Sequence, residues 1–207
     1  HAWLYAKAKR RLFDEARRRW KNVVSARIFC PIGPGMRPER FIPTMLGALR
    51  DGKPLPALRT EPDGLRDWLD VRDVASACAA ILASKVEGAV NVTAGRHVST
   101  RDIVSAASLL VTGRSGPRLC CDRSSLGIDS EPTTIIGKVG QIAETGWTPR
   151  YGILDSLHDA LAEFSNVEFV ITSAGPTTPE QRGKIGDRIL REARDAIYNR
   201  APAGGAA

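Results

Sequence analysis

Between residues 2 and 164 short apolar runs alternate with stretches of helical periodicity, and that alternation limits the chain to the α/β class. Residues 2–20 set Leu4, Ala8, Leu12 and Ala16 along one face of a helix. Residues 23–29 are short and apolar, as a strand buried in a sheet would be. Pro31, Gly33, Pro34 and Gly35 then demand a loop. A helix is expected over 41–50, closed by Asp51-Gly52, followed by a proline-rich loop over 52–65. Trp68 to Val71 reads as a strand, with Asp73 as N-cap of a helix over 74–84. Residues 89–93 give a further strand, and Ser99 with Asp102 resembles a capping box for a helix over 100–111. After an irregular stretch, a short helix over 135–144 leads to the turn Gly146-Trp147-Thr148-Pro149. Leu154, Leu157, Leu161 and Phe164 share one side of a last amphipathic helix. Beyond it, residues 167–172 read as a strand, 180–198 as a charged helix and 201–207 as a small-residue end without regular structure.

The 207 residues suffice for one sizeable domain or two small ones. No apolar run reaches the ~18–20 residues that cross a bilayer, and no signal-peptide pattern opens the chain. Cys30, Cys78, Cys120 and Cys121 show neither a C-x-x-C spacing nor a disulfide framework. A reducing cytoplasm is therefore the expected location, with no metal site. The first residue is His1, as in a segment cut from a longer protein. The net charge of +7 is concentrated in residues 1–27, where nine Lys and Arg face only Asp14 and Glu15. A basic helix can meet nucleic acid or an anionic membrane. With no RNA-binding aromatic motif or basic repeat beside it, the ordinary reading is a solvated helix face. His1, His97 and His158 lack any constellation that would make them catalytic.

Tyr5 and Lys9 lie four residues apart and so share a helix face. A nearby ammonium favours the phenolate form of a tyrosine, and such a pair can exchange a proton with a substrate hydroxyl. In so basic a helix the spacing alone is weak. It gains weight from three later patterns that follow in order. These are Arg27-Ile28-Phe29-Cys30-Pro31-Ile32-Gly33-Pro34, then Arg66-Asp67-Trp68-Leu69-Asp70-Val71-Arg72-Asp73-Val74, then Gly146-Trp147-Thr148-Pro149. In this ordered set, and in Gly88–Gly95, residues 1–165 resemble the extended short-chain dehydrogenase/reductase family, of the NAD-dependent epimerase/dehydratase (nucleotide-sugar) type.

The resemblance implies the C-terminal part of a Rossmann-like, doubly wound parallel sheet plus the smaller substrate-binding domain. Residues 1–35 would be the residual Rossmann part, 36–165 the substrate-binding domain with strands returning to the sheet near 67–95, and 166–207 an extension of unassigned role. Tyr5 would be the acid/base residue, and Lys9 would bond the nicotinamide ribose and tune Tyr5. Ile28, Phe29 and Pro31 would border the nicotinamide of NAD or NADP. Cys30 stands where the family has an asparagine that touches the sugar nucleotide, and a thiol is a weaker hydrogen-bond partner than an amide. Phe41 would wall the substrate pocket. Arg66 would grip the diphosphate with its forked guanidinium, unless a neighbouring aspartate claims it.

The family's Gly-x-x-Gly-x-x-Gly after an opening strand, which seats a pyrophosphate on a helix N-terminus, does not occur in these residues. The expectation is thus a C-terminal fragment, without the N-terminal dinucleotide-binding strands, of an NAD(P)-dependent nucleotide-sugar epimerase, dehydratase or reductase, inactive alone. The alternative is a non-catalytic remnant or subunit acting through protein association. In that case the basic N-terminal helix would form a homodimer or pair with a separate N-terminal half. Membrane and nucleic acid are not expected partners.

Overall fold

The computed structural model describes residues 2–58, 61–114, 116, 119 and 134–164. In chain order the elements are α1 (Ala2–Arg19), β1 (Val24–Ile28), β2 (Cys30–Ile32), α2 (Phe41–Arg50), β3 (Leu65–Asp70), α3 (Val71–Ala83), β4 (Gly88–Val92), β5 (His97–Ser99), α4 (Thr100–Thr112), a 3₁₀ turn (Gln141–Thr145) and α5 (Ile153–Phe164). The class is α/β, with parallel strand pairs. β1 runs parallel to β4, with Val24 opposite Gly88 and Ile28 opposite Val92. A second sheet has the order β2-β3-β5. There Cys30 lies opposite Trp68 in parallel, and Leu65 opposite Ser99 in antiparallel register.

β3 joins the two halves because successive side chains of a strand point to opposite faces. Trp68 packs against a core built from Ile32, Met45, Leu46, Ile103 and Leu157, which unites β2, α2, α4 and α5. Leu69, one residue on, belongs to the other core with Ala77, Ile81, Val90, Val92 and Ile142. Trp147 of the late turn packs on that second core, and its indole N–H donates to Ser76 Oγ at 2.9 Å.

Several boundaries move. The strand expected over 23–29 is β1, and it is not buried throughout, for Ala26, Arg27 and Ile28 are exposed. Pro31 does not begin the loop but sits inside β2, opposite Leu69. It is tolerated because β2 is the edge of its sheet, where a missing N–H costs no ladder bond. β3 starts at Leu65, three residues earlier than expected. Only the 3₁₀ turn appears within residues 135–144, and Ile135 instead bridges to Arg66. The expected strand over 167–172 and helix over 180–198 lie outside the described residues. Among the described residues no helix is long and apolar enough to cross a membrane.

The helix after β3 begins at Val71, and its N-cap is Asp70 rather than Asp73. Asp70 is 2 % exposed. Its carboxylate accepts from the Arg72 backbone N–H, Nε and Nη2, each at 2.8 Å, and from Ser156 Oγ at 2.7 Å. Arg72 also reaches Asp159 at 2.7 Å and lies 3.6 Å from the centre of the Tyr151 ring. Asp73 has another duty: it accepts the backbone N–H groups of Arg150 and Tyr151, both at 3.0 Å. Asp70 and Arg72 thus tie α5 to the start of α3, and Asp73 ties down the turn that leads into α5.

Burial pushes the Asp70 carboxyl up, but the bonds from Arg72 and Ser156 and the guanidinium charge outweigh it and hold it below its ordinary value. A carboxyl lowered in this way stabilises the fold above its unfolded value near ~4 and loses that contribution as pH falls through the folded value. Asp70→Asn should lower unfolding free energy by roughly 2–4 kcal/mol, from the cap and charged hydrogen bonds together. It should also flatten the acid limb of the stability profile below about pH 4. Urea melts across the acid and neutral range check this; an unchanged acid limb would refute the assignment.

Candidate functional site

A cavity of about 770 Å³ opens beside β2, the N-terminal end of α2 and the start of β3. Phe29, Cys30, Pro31, Phe41, Arg66 and Trp68 are among its walls. The chain reaches this arrangement by local chemistry. β1 ends at Ile28 and β2 begins at Cys30, so Phe29 turns the chain from one sheet to the other. Gly33 follows with φ of 142°, and a Cβ there would stand 2.8 Å from Val71 Cγ2. Only glycine lets the loop leave β2 so close to the first turn of α3. Arg40 then leads into α2, whose first residue, Phe41, is half-buried at the cavity wall.

Arg66 is 5 % exposed, and its Nη1 donates to the Leu65 carbonyl at 3.4 Å. A guanidinium at a cavity wall offers a planar fork of N–H donors that matches the oxygens of a phosphate or carboxylate. Two residues on, and so on the same face of β3, Trp68 is fixed by its indole N–H donating to Val98 O at 3.2 Å. Asp67 points the other way and is fully buried. It accepts the Thr93 hydroxyl and the Ala94 N–H, the latter at 2.9 Å. That pair sets the end of β4 against β3 directly behind Arg66. Gly137 packs so tightly on Thr93 and Phe29 that a Cβ would collide with the threonine side chain. Asp67, Thr93 and Gly137 were not legible as site-shaping residues, because each acts through a partner 26 or more residues away.

The structure therefore brings Phe29, Cys30, Pro31, Phe41 and Arg66 to one cavity. It does not bring Tyr5, Lys9 or Ile28 there, since none of these three lines it. Tyr5 is 67 % exposed on α1, with Lys9 Nζ 5.5 Å from its ring centre. Ile28 is 45 % exposed at the end of β1. For a nicotinamide the fit is thus divided: Phe29 and Pro31 offer a border at the cavity, while the phenol and ammonium stand apart from it. Among the described residues no cluster of His, Cys, Asp and Glu could hold a metal ion.

Parallel strand pairs and the helices packed on them define a Rossmann-like α/β architecture. Residues 2–93 match the family described as NAD dependent epimerase/dehydratase. Among solved structures it is similar to the UDP-glucuronic acid 4-epimerase of Bacillus cereus in complex with UDP-glucuronic acid and NAD, at 20 % identity and TM-score 0.59 over 69 % of this chain and 45 % of that one. MoeE5 in complex with UDP-glucuronic acid and NAD is 26 % identical, at TM-score 0.58 over 69 % of this chain and 47 % of its own. The Thermus thermophilus UDP-glucose 4-epimerase in complex with NAD is 22 % identical, at TM-score 0.61 over 75 % of this chain and 50 % of its own. The chain spans about half the length of these structures. No curated protein sequence matches it.

Thr93→Val should leave the buried Asp67 carboxylate one donor short and lower stability by about 1–3 kcal/mol. Thr93→Ser, which keeps the hydroxyl, should lose less. Equal losses in chemical denaturation would show that the hydroxyl contributes nothing.

Proposed function

We propose that this chain carries the substrate side of an NAD(P)-dependent nucleotide-sugar epimerase, dehydratase or reductase, and that its cavity receives the diphosphate of the sugar nucleotide. Residues 1–35 would then be its share of the dinucleotide-binding part, and 36–165 its substrate-binding domain. The observation that carries this reading is the gathering of Cys30, Phe41 and Arg66 around one cavity, with Arg66 buried at its wall. The reading is supported by the similar structures, two of which are complexes with UDP-glucuronic acid and NAD and one a complex with NAD. Arg66 would hold the diphosphate with paired N–H donors, and Phe41 would cover an apolar face of the ligand. Cys30 would stand at the polar edge of the sugar, where its weak donor suits it to shape more than to anchoring.

Tyr5 and Lys9 are proposed as the proton-transfer pair on the strength of their place in the motif. In the family's chemistry the cofactor would take the hydride while the tyrosine handles the hydroxyl proton. Because the pair sits on an exposed helix, a further surface would have to cover α1 before it could serve the cavity. The chain by itself is accordingly proposed to bind without turning over.

A second reading is favoured by α1 itself. Trp3, Leu4, Tyr5 and Leu12 are all more than half exposed on that helix. On this reading α1 acts as a protein-association face, either between two copies or toward a separate partner, and the chain has no catalytic role.

Titration of the 207-residue chain with UDP separates the two. Saturable binding that weakens by about 10–100-fold in Arg66→Ala, with Arg66→Lys recovering only part of it, is expected if a forked guanidinium meets the diphosphate. Binding indifferent to Arg66, or none at all, would overturn the cavity assignment and leave association as the reading.

A further inference from the structure

The stretch from Gly33 to Arg40 supplies Pro34, Gly35, Met36, Arg37, Glu39 and Arg40 to the lining of the cavity. Neither end of this strap is free. At its exit Thr44 Oγ1 donates to the carbonyls of Pro38 at 3.1 Å and Arg40 at 2.9 Å, while the Arg40 N–H closes a turn on Arg37 O at 3.0 Å. At its entry Gly33 is wedged against Val71. Between these fixed ends the strap is fastened from another element altogether. The Gly35 N–H donates to Glu163 Oε2 at 2.6 Å, across 128 residues of sequence. Glu163 lies near the C-terminal end of α5 and is not one of the residues assigned above to ligand binding.

We infer that Glu163 is a latch: its carboxylate holds Gly35 in place and so sets where the strap, with Arg37 and Arg40, lines the cavity. A short N–H bond to an ionised carboxylate is among the stronger single tethers available at a surface. It acts on a glycine with φ of 79°, a conformation the strap can leave easily once the tether is gone. Glu163 is a positioning residue in this scheme, acting on the ligand only through the strap. The effect on ligand rests on the cavity reading proposed above; the effect on the strap does not.

Two cysteines make the latch measurable. Cys30 lines the same cavity as the strap, whereas Cys78 lines a separate hollow beside β1 and the end of α3. Alkylation of the whole chain by iodoacetamide, followed by peptide mass spectrometry, gives both rates in one sample. Glu163→Ala should speed Cys30 alkylation by about tenfold, as expected for losing one charge-assisted hydrogen bond, and leave Cys78 unchanged. Glu163→Gln keeps an acceptor oxygen and should fall between the two proteins. Equal Cys30 rates in wild type and Glu163→Ala overturn the latch, and so does an equal rise at both thiols, which would report general loosening. Added UDP tests the other reading separately. Protection of Cys30 in the wild type, weaker in Glu163→Ala, supports both; a failure of UDP to protect Cys30 in either protein counts against the cavity assignment and leaves the latch to stand or fall on the rates alone.

Discussion

A carboxylate taken out of water must be fully paired, or it protonates or the fold gives way. Asp70 meets that demand by drawing together the first turn of α3, through the Arg72 backbone and side chain, and the first turns of α5, through Ser156. The placement of α5 against the start of α3 depends on this junction. α5 can lie across β2 and β3 because its Ser156 and Asp159 complete the bonding of Asp70 and Arg72. The same helix then presents Glu163 to the strap at Gly35. Backward along β3, two residues at a time on the same face, stand Trp68 and Arg66.

β3 accordingly has two jobs divided by side-chain parity. Its even-numbered residues serve the cavity and the junction with α5. Its odd-numbered residues, Asp67 and Leu69, serve the other half: Asp67 fixes the end of β4 through Thr93 and Ala94, and Leu69 fills the core under the β1–β4 pair. A one-residue slip of this strand would exchange both sets at once. The two buried aspartates of the strand, Asp67 and Asp70, oppose such a slip with bonds to different elements.

Much of this was legible in the chain. The α/β alternation, α2 over 41–50 and the Ser99 cap all follow from local pattern, and the cap is seen with Ser99 Oγ accepting from the Asp102 N–H at 3.1 Å. Motif order singles out Arg66, Phe41 and Cys30, and they do share a cavity. What local pattern could not supply was decided by distant partners. Asp70 and Asp73 are equally good helix caps by residue type; the choice falls to Asp70 because Asp73 is taken by the backbone at Arg150 and Tyr151. Pro31 reads as a loop residue because edge position is a property of the sheet, not of the sequence. The apolar face of α1 promises burial, yet Leu4 and Leu12 are exposed, since periodicity states that a face is apolar and not what covers it.

A crystal structure of the chain grown with UDP-glucose tests the central claim most directly. The account predicts the diphosphate inside the cavity, within hydrogen-bonding distance of the Arg66 guanidinium, with the sugar toward Cys30 and Phe41. A nucleotide bound elsewhere on the surface, with Arg66 turned away from it, would contradict the account.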